Sequence, residues 1–287
     1  MRTSVERVTA VPGAASATLR SLLDGPPRPA RVLGVGPAAL FVIMPEARGV
    51  FALCTHDAVR LPLAIVVAAS SAAAPWAGRA SAGDPVTVGG GSVCLPGLTI
   101  HVARWWAPAR PHLVDDGRLV LTTPVLRELL GEAAIDLPGA ISANLRRLRL
   151  ALVTGHHEGA RRAVDAMLGL GPGLTPAGDD AVAGLLLAVR HLGEPREGAV
   201  MRLRAHVLAT APRRTNAVSA ALLGQAAQGY AAPEVIAVLS ALATGCGLPS
   251  ALRSLLLVGH TSGGDLAQGI ASGALLVVDR LSTREAA

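Results

Sequence analysis

The apolar positions along the chain fall into two textures. Over the first third they come in short runs, at 32–44, 50–55, 63–69, 85–88 and 98–105. Each run is apolar or β-branched and is bounded by turn formers, at 45–49, Gly83-Asp84-Pro85, Gly89-Gly90-Gly91 and Pro96-Gly97. Short runs between frequent turn signals predict the strands of a small barrel or sandwich. The Pro-rich stretch 106–111 reads as its exit. From about Pro124 the apolar residues recur at i, i+3 and i+4, the period of an amphipathic helix. Helices are predicted over 125–133, 141–153, 157–168, 179–192, 200–210, 216–228, 234–243, 250–258 and from about 264 to 281. Strands and helices are thus segregated. The predicted fold class is α+β: a small N-terminal β-barrel or sandwich over 1–111, then an all-helical bundle over 112–287.

Composition narrows the classes of function. Of the 287 residues, 51% are hydrophobic and 16% charged, which excludes a disordered chain. Aromatic residues make up 2%, too few for the stacking platforms of a single-stranded nucleic-acid reader. The net charge of +6 rests on arginine alone. A chain without lysine has neither a Walker-type phosphate loop nor a Schiff-base lysine. The arginine-only usage beside abundant Ala, Gly and Pro reads as coding bias rather than a nucleic-acid surface, and it remains compatible with small anionic substrates.

Three scattered cysteines, Cys54, Cys94 and Cys246, show neither a disulfide framework nor zinc spacing, and point to a reducing, cytoplasmic setting. The start of the chain has no apolar signal core. The uncharged stretch 61–78 is interrupted by Pro62, Ser70, Ser71 and Pro75, so it predicts a buried strand and loop rather than a membrane span.

Three segments break the bland apolar texture, each just before a helix. The first is Gly169-Leu-Gly-Pro-Gly-Leu-Thr-Pro-Ala-Gly-Asp-Asp180, and the second is Gly259-His-Thr-Ser-Gly-Gly-Asp265. Aligned as Gly-x-Thr-x-x-Gly-Asp, they pair Gly173, Thr175, Gly178 and Asp179 with Gly259, Thr261, Gly264 and Asp265. A glycine follows on each helix, Gly184 and Gly269, and an internal repeat is implied. Closely spaced glycines let backbone approach a ligand, and a helix start offers N–H groups and partial positive charge to a phosphate or carboxylate. Gly171, Gly173 and Thr175 are the candidate phosphate cradle, with Thr261, Ser262, Gly263 and Gly264 as oxyanion donors or a second anion site.

Asp179, Asp180 and Asp265 sit oddly beside an anion unless they neutralise arginine, accept from an amide NH2, or hold a divalent cation. Oxygen-only ligands would suit Mg2+. The same residues are also ordinary helix caps, each worth ~0.5–2 kcal/mol.

The third segment, Arg213-Arg214-Thr215-Asn216 with Ser219 one turn on, reads as a loop suited to a carboxylate or phosphate, or as a solvated basic loop with a cap. Arg146, Arg147 and Arg149 read as a solvated helix face, and His156-His157 as a loop pair with general-base capacity. His260, inside the second motif, is the histidine to test first. No Gly-x-Ser-x-Gly elbow or HExxH motif occurs.

The 169–180 run closely resembles the signature of the AllH-type family (YlbF-like), a subunit of oxamate carbamoyltransferase, which usually has Ser where this chain has Ala177. The 259–265 run looks like that family's second motif, and Thr215 with Ser219 like a third. The resemblance implies a subunit working with an FdrA-like partner and a further subunit in anaerobic purine or allantoin breakdown. The implied reaction converts oxalurate and phosphate to oxamate and carbamoyl phosphate, and back. On that reading Arg213 and Arg214 would take the substrate carboxylate, and Asp179, Asp180, Asp265 and His260 are the candidate catalytic groups. Two alternatives stay open: a non-catalytic scaffold subunit, and a stand-alone enzyme on another small anion. Neither membrane nor nucleic acid is an expected partner.

Overall fold

The computed structural model describes residues 9–45, 49–109, 116–193 and 198–285. The chain start, the middle of the 45–49 turn, the end of the 106–111 exit and the first residues of the predicted helical domain lie outside the described residues. Two compact units are present, 1–108 and 109–287.

The first unit is a closed barrel. In chain order its strands are β1 (Thr9–Ser16), β2 (Arg28–Val35), β3 (Ala39–Ile43), β4 (Val50–Thr55), β5 (Ala64–Val67), β6 (Pro85–Gly89), β7 (Ser92–Leu95) and β8 (Leu98–Trp106). A short helix α1 (Arg20–Leu23) follows β1. Around the barrel the order is β1-β5-β4-β3-β2-β6-β7-β8, and β8 closes onto β1 in parallel. β4 is buried along its whole length and supplies Phe51 and Leu53 to the interior.

The predicted strand 32–44 is two strands. Gly36 N–H donates to Ala39 O at 2.8 Å and reverses the chain at Gly36-Pro37, but the apolar pattern runs straight across that turn. β1 went unpredicted: its small residues and Pro12 form no apolar run. In the fold Gly13 is wedged beside Ile100 and Ile65, where an added Cβ would lie 2.8 and 2.9 Å from their methyls. β7 joins β6 through Gly90-Gly91, both at positive φ, the geometry of a two-residue hairpin.

The second unit is helical: α2 (Asp116–Glu132), α3 (Gly139–Val153), α4 (His157–Asp165), α5 (Ala177–His191), α6 (Gly198–Arg214), α7 (Ala217–Gln228), α8 (Pro233–Thr244), α9 (Leu248–Leu256) and α10 (Ser262–Glu285). Two predicted boundaries move, and in each case a proline lies inside the longer helix. α2 begins at Asp116 and carries Pro124 inside it, and α6 runs through Pro212 to Arg214. Arg213 and Arg214 therefore form the last turn of α6, not a loop. The break falls at Thr215-Asn216, where Asn216 Oδ1 caps Ser219 N–H at 3.0 Å. His157 is likewise the first residue of α4, with His156 at its N-cap.

α5 is the centre of this unit. Every residue from Gly178 to Val189 is buried, as expected of a helix apolar on all sides. α10 lies against it at a backbone-to-backbone crossing. A Cβ on Gly184 would meet Leu266 O at 2.2 Å, and one on Gly269 would meet Ala181 O at 2.2 Å. Only hydrogen fits at either place.

Candidate functional site

The crossing brings the starts of α5 and α10 together, and with them the two Gly-rich motifs. Thr175 Oγ1 and Ser262 Oγ are 2.8 Å apart, joining segments 87 residues apart in sequence. The contacts also set the register of the repeat. Gly178 presses on Met167 O and Gly263 on Leu255 O, each the backbone near the end of the preceding helix. Gly184 and Gly269 press on each other's helices at reciprocal positions. The equivalent pairs are thus Gly178 with Gly263, Asp180 with Asp265, and Gly184 with Gly269. This shifts the sequence alignment by one residue, because the first motif follows a longer loop than the second. In the corrected register Ser262 is the counterpart of Ala177.

The loop before α5 depends on Gly171, whose φ of +124° is open only to glycine and whose added Cβ would lie 2.8 Å from Ala177 N. Gly173, also at positive φ, has open space where its Cβ would be. Gly178 N–H donates to Leu170 O and Gly263 N–H to Val258 O. Those two amides are therefore engaged by the protein, and the hydroxyls of Thr175, Thr261 and Ser262 are the side-chain donors at the rim.

The three aspartates occupy two kinds of environment. Asp179, 1% exposed, accepts from Gly169 N–H at 2.8 Å through Oδ1. Its Oδ2 accepts from Ser219 Oγ at 2.6 Å and from Thr215 Oγ1. It ties the Gly-rich loop to the α6–α7 junction, which accounts for the third motif. Asp180 and Asp265, 7% and 6% exposed, each bury an Oδ2 with no hydrogen-bond partner.

Burial pushes Asp180 up to about 7, and the nearby charges of Asp265 and Asp179 add to this against the opposing hydroxyls of Ser262 and Thr175. Burial also raises Asp265, opposed by the Thr261 hydroxyl. These two carboxyls are the groups at the junction whose protonation the fold perturbs, a recurrent property of functional sites.

The remaining candidates lie at the edge or turn away. His260 is exposed in the turn before α10, and Gly264 is buried, its Cβ position facing Ile135. Arg213 donates to Ala209 O at 3.0 Å, and Arg214 reaches Asp165, donating to its carbonyl at 3.1 Å. Neither guanidinium is directed at Asp180 or Asp265 in these contacts. His156 and His157 stand apart, His157 accepting from Arg202 at 2.7 Å. Arg149 pairs with Asp279 at 2.5 Å, whereas Arg146 and Arg147 bond along their own helix to Ser142 and Asn144.

Sequence reasoning noted Gly184 and Gly269 but missed their role as the seam. The signal was there in Gly-x-Asp-x-x-x-Gly, which occurs at 178–184 and again at 263–269.

No solved structure matches the chain. A family model does: the one described as oxamate carbamoyltransferase subunit AllH matches residues 167–274, a little over a third of the chain. That span begins just before the first motif, ends beyond the second, and includes all three aspartates and the α5/α10 crossing. The segment of this chain that builds the paired-helix junction is therefore the part that is similar to the AllH family model.

Proposed function

We propose that the chain is a subunit of an oxamate carbamoyltransferase-type enzyme and that the α5/α10 junction is where it handles the carbamoyl-bearing substrate. The observation that carries this reading is the meeting of the two motifs through Thr175 and Ser262 beside two buried carboxyls, each with one oxygen, Oδ2, that no donor meets.

A carbamoyl group presents NH2 donors and a carbonyl acceptor. The unpaired oxygens of Asp180 and Asp265 are acceptors for the former, and the hydroxyls of Thr175, Thr261 and Ser262 are donors for the latter. When a phosphate oxygen attacks the carbamoyl carbon of oxalurate, negative charge builds on the carbonyl oxygen, where those hydroxyls would stabilise it. The C–N bond to oxamate then breaks, and the departing nitrogen takes a proton. Asp180, held near 7, is suited to give that proton and to recover it in the reverse direction. Small anions such as phosphate, oxamate or carbamoyl phosphate would enter over the exposed 171–174 and 259–261 turns.

The test is a complex reconstituted with its partner subunits, including an FdrA-like one, assayed for carbamoyl phosphate formed from oxalurate and phosphate. Asp180→Asn and Asp265→Asn should each lower kcat by about a hundredfold or more, with Glu158→Gln on the α4 surface unchanged. Full turnover in both Asn variants would favour the scaffold reading, in which this chain only assembles the complex.

A further inference from the structure

Two carboxylates buried side by side are poor company for a phosphate-bearing substrate, and equally poor company for each other. Like charges in a site of low polarity repel, and a buried charge without a partner is unfavourable by several kcal/mol. The fold offers two hydroxyls near Asp180 and one near Asp265, all neutral. Among the described residues no ion pair is formed by either carboxylate. Arg214 and His206 are drawn to Asp165, Arg149 to Asp279, and Arg162 to Glu158. Among the described residues, what the junction lacks is a full positive charge beyond the partial charge of the two helix starts. The atoms that await it are the two Oδ2 oxygens, on side chains more than nine-tenths buried.

We infer that the α5/α10 junction binds a hard divalent cation, Mg2+ or Mn2+, between the carboxylates of Asp180 and Asp265 with the Thr175 and Ser262 hydroxyls beside it. The donor set is all oxygen, which selects Mg2+ and Mn2+ over zinc. Two carboxylates fall short of a complete protein cage. That shortfall is the usual arrangement for Mg2+, which keeps water or takes phosphate oxygens in its remaining positions. The cation would thereby turn a repulsive pair of acids into a phosphate-accepting surface. The reciprocal placement of Asp180 and Asp265 in the repeat puts one ligand on each helix, so the site exists only where the helices meet. The cation site stands on the two carboxylates, and its coupling to phosphate rests on the functional reading above; a bound cation keeps Asp180 ionised, so proton donation by Asp180 belongs to the cation-free junction.

Mn2+ binding to the full-length chain, followed by the loss of the free-ion electron paramagnetic resonance signal at about pH 8.5, tests the inference. One bound Mn2+ per chain is expected, displaced by Mg2+ and weakened at least about tenfold by Asp180→Asn or Asp265→Asn. Glu158→Gln should bind as the parent does. Thermal melts of each variant check folding, and the Asn variants are expected to melt no lower than the parent. No bound Mn2+ up to roughly 1 mM, or binding that survives both Asn changes in folded protein, overturns the cation site and assigns the neutralising role to a proton. Adding carbamoyl phosphate separates the two ideas. Mn2+ binding unaffected by it would leave the cation in place and remove support for the carbamoyl reading. Carbamoyl phosphate bound by a chain that takes up no Mn2+ would overturn the cation site and leave the carbamoyl reading in place.

Discussion

The carboxylate of Asp179 is met by donors from Gly169, Thr215 and Ser219, whereas the next one along the chain, Asp180, buries an oxygen that nothing meets. Removing the two side chains should therefore have opposite effects on stability. Asp179→Ala leaves a backbone N–H and two hydroxyls without their acceptor, and should destabilise by about 2–4 kcal/mol in denaturant melts. Asp180→Asn should stabilise the protein at pH 8. Folding raises the Asp180 pKa from 3.8 to about 7, so the folded state holds a proton that the unfolded chain has already released. Its contribution is complete below about pH 4 and is lost as pH rises through about 7, a fall of up to about 4 kcal/mol. The Asn variant should flatten that slope. An unchanged slope would mean that Asp180 is not the group responsible. Both aspartates were legible in sequence as a pair at a helix start, but their division of labour was not. It depends on Thr215 and Ser219, which reach Asp179 from another helix.

Among the elements, the α5/α10 pair is held by glycine hydrogens against carbonyl oxygens, and this sets a sharp limit on substitution. Gly184→Ala or Gly269→Ala would put a methyl carbon 2.2 Å from backbone of the opposite helix. No side chain can rotate out of the way, so the helices must separate, at about 3 kcal/mol or more. Since either methyl opens the same seam, the double variant should cost less than the sum of the singles in chemical denaturation. Full additivity would show that the two glycines act on independent contacts. The helices themselves were readable because the 3.6-residue period is local, and α3 and α5 came out within two residues of the predicted limits. The boundaries of α2 and α6 were not, since Pro124 and Pro212 are tolerated within helices that their neighbours hold in place. The crossing was less legible still: a glycine inside a helix has the same spelling whether it is exposed, like Gly131, or pressed on a carbonyl, like Gly184.

For the whole molecule, the change from strand to helical periodicity foretold two differently built parts. The closure of the barrel did not show in the pattern, because β1 and β8 pair across nearly the full length of their unit. Each unit has its own buried core, the barrel around Phe51, Leu53 and Ile65, the bundle around α5. A fragment spanning 109–287 should accordingly unfold in one cooperative helical transition by circular dichroism, and broad, uncooperative melting would show that the bundle depends on the barrel.

The all-round burial of α5 has a further bearing on how the chain is made. Four helices are synthesised between α5 and the α10 segment that covers its glycine face. During that interval a sticky, mostly apolar rod stands half-wrapped beside the ribosome, and one of its two acids, Asp180, has yet to meet Asp265. Folding of this unit is thus completed late, and the nascent bundle is the stage at which a chaperone has most to do.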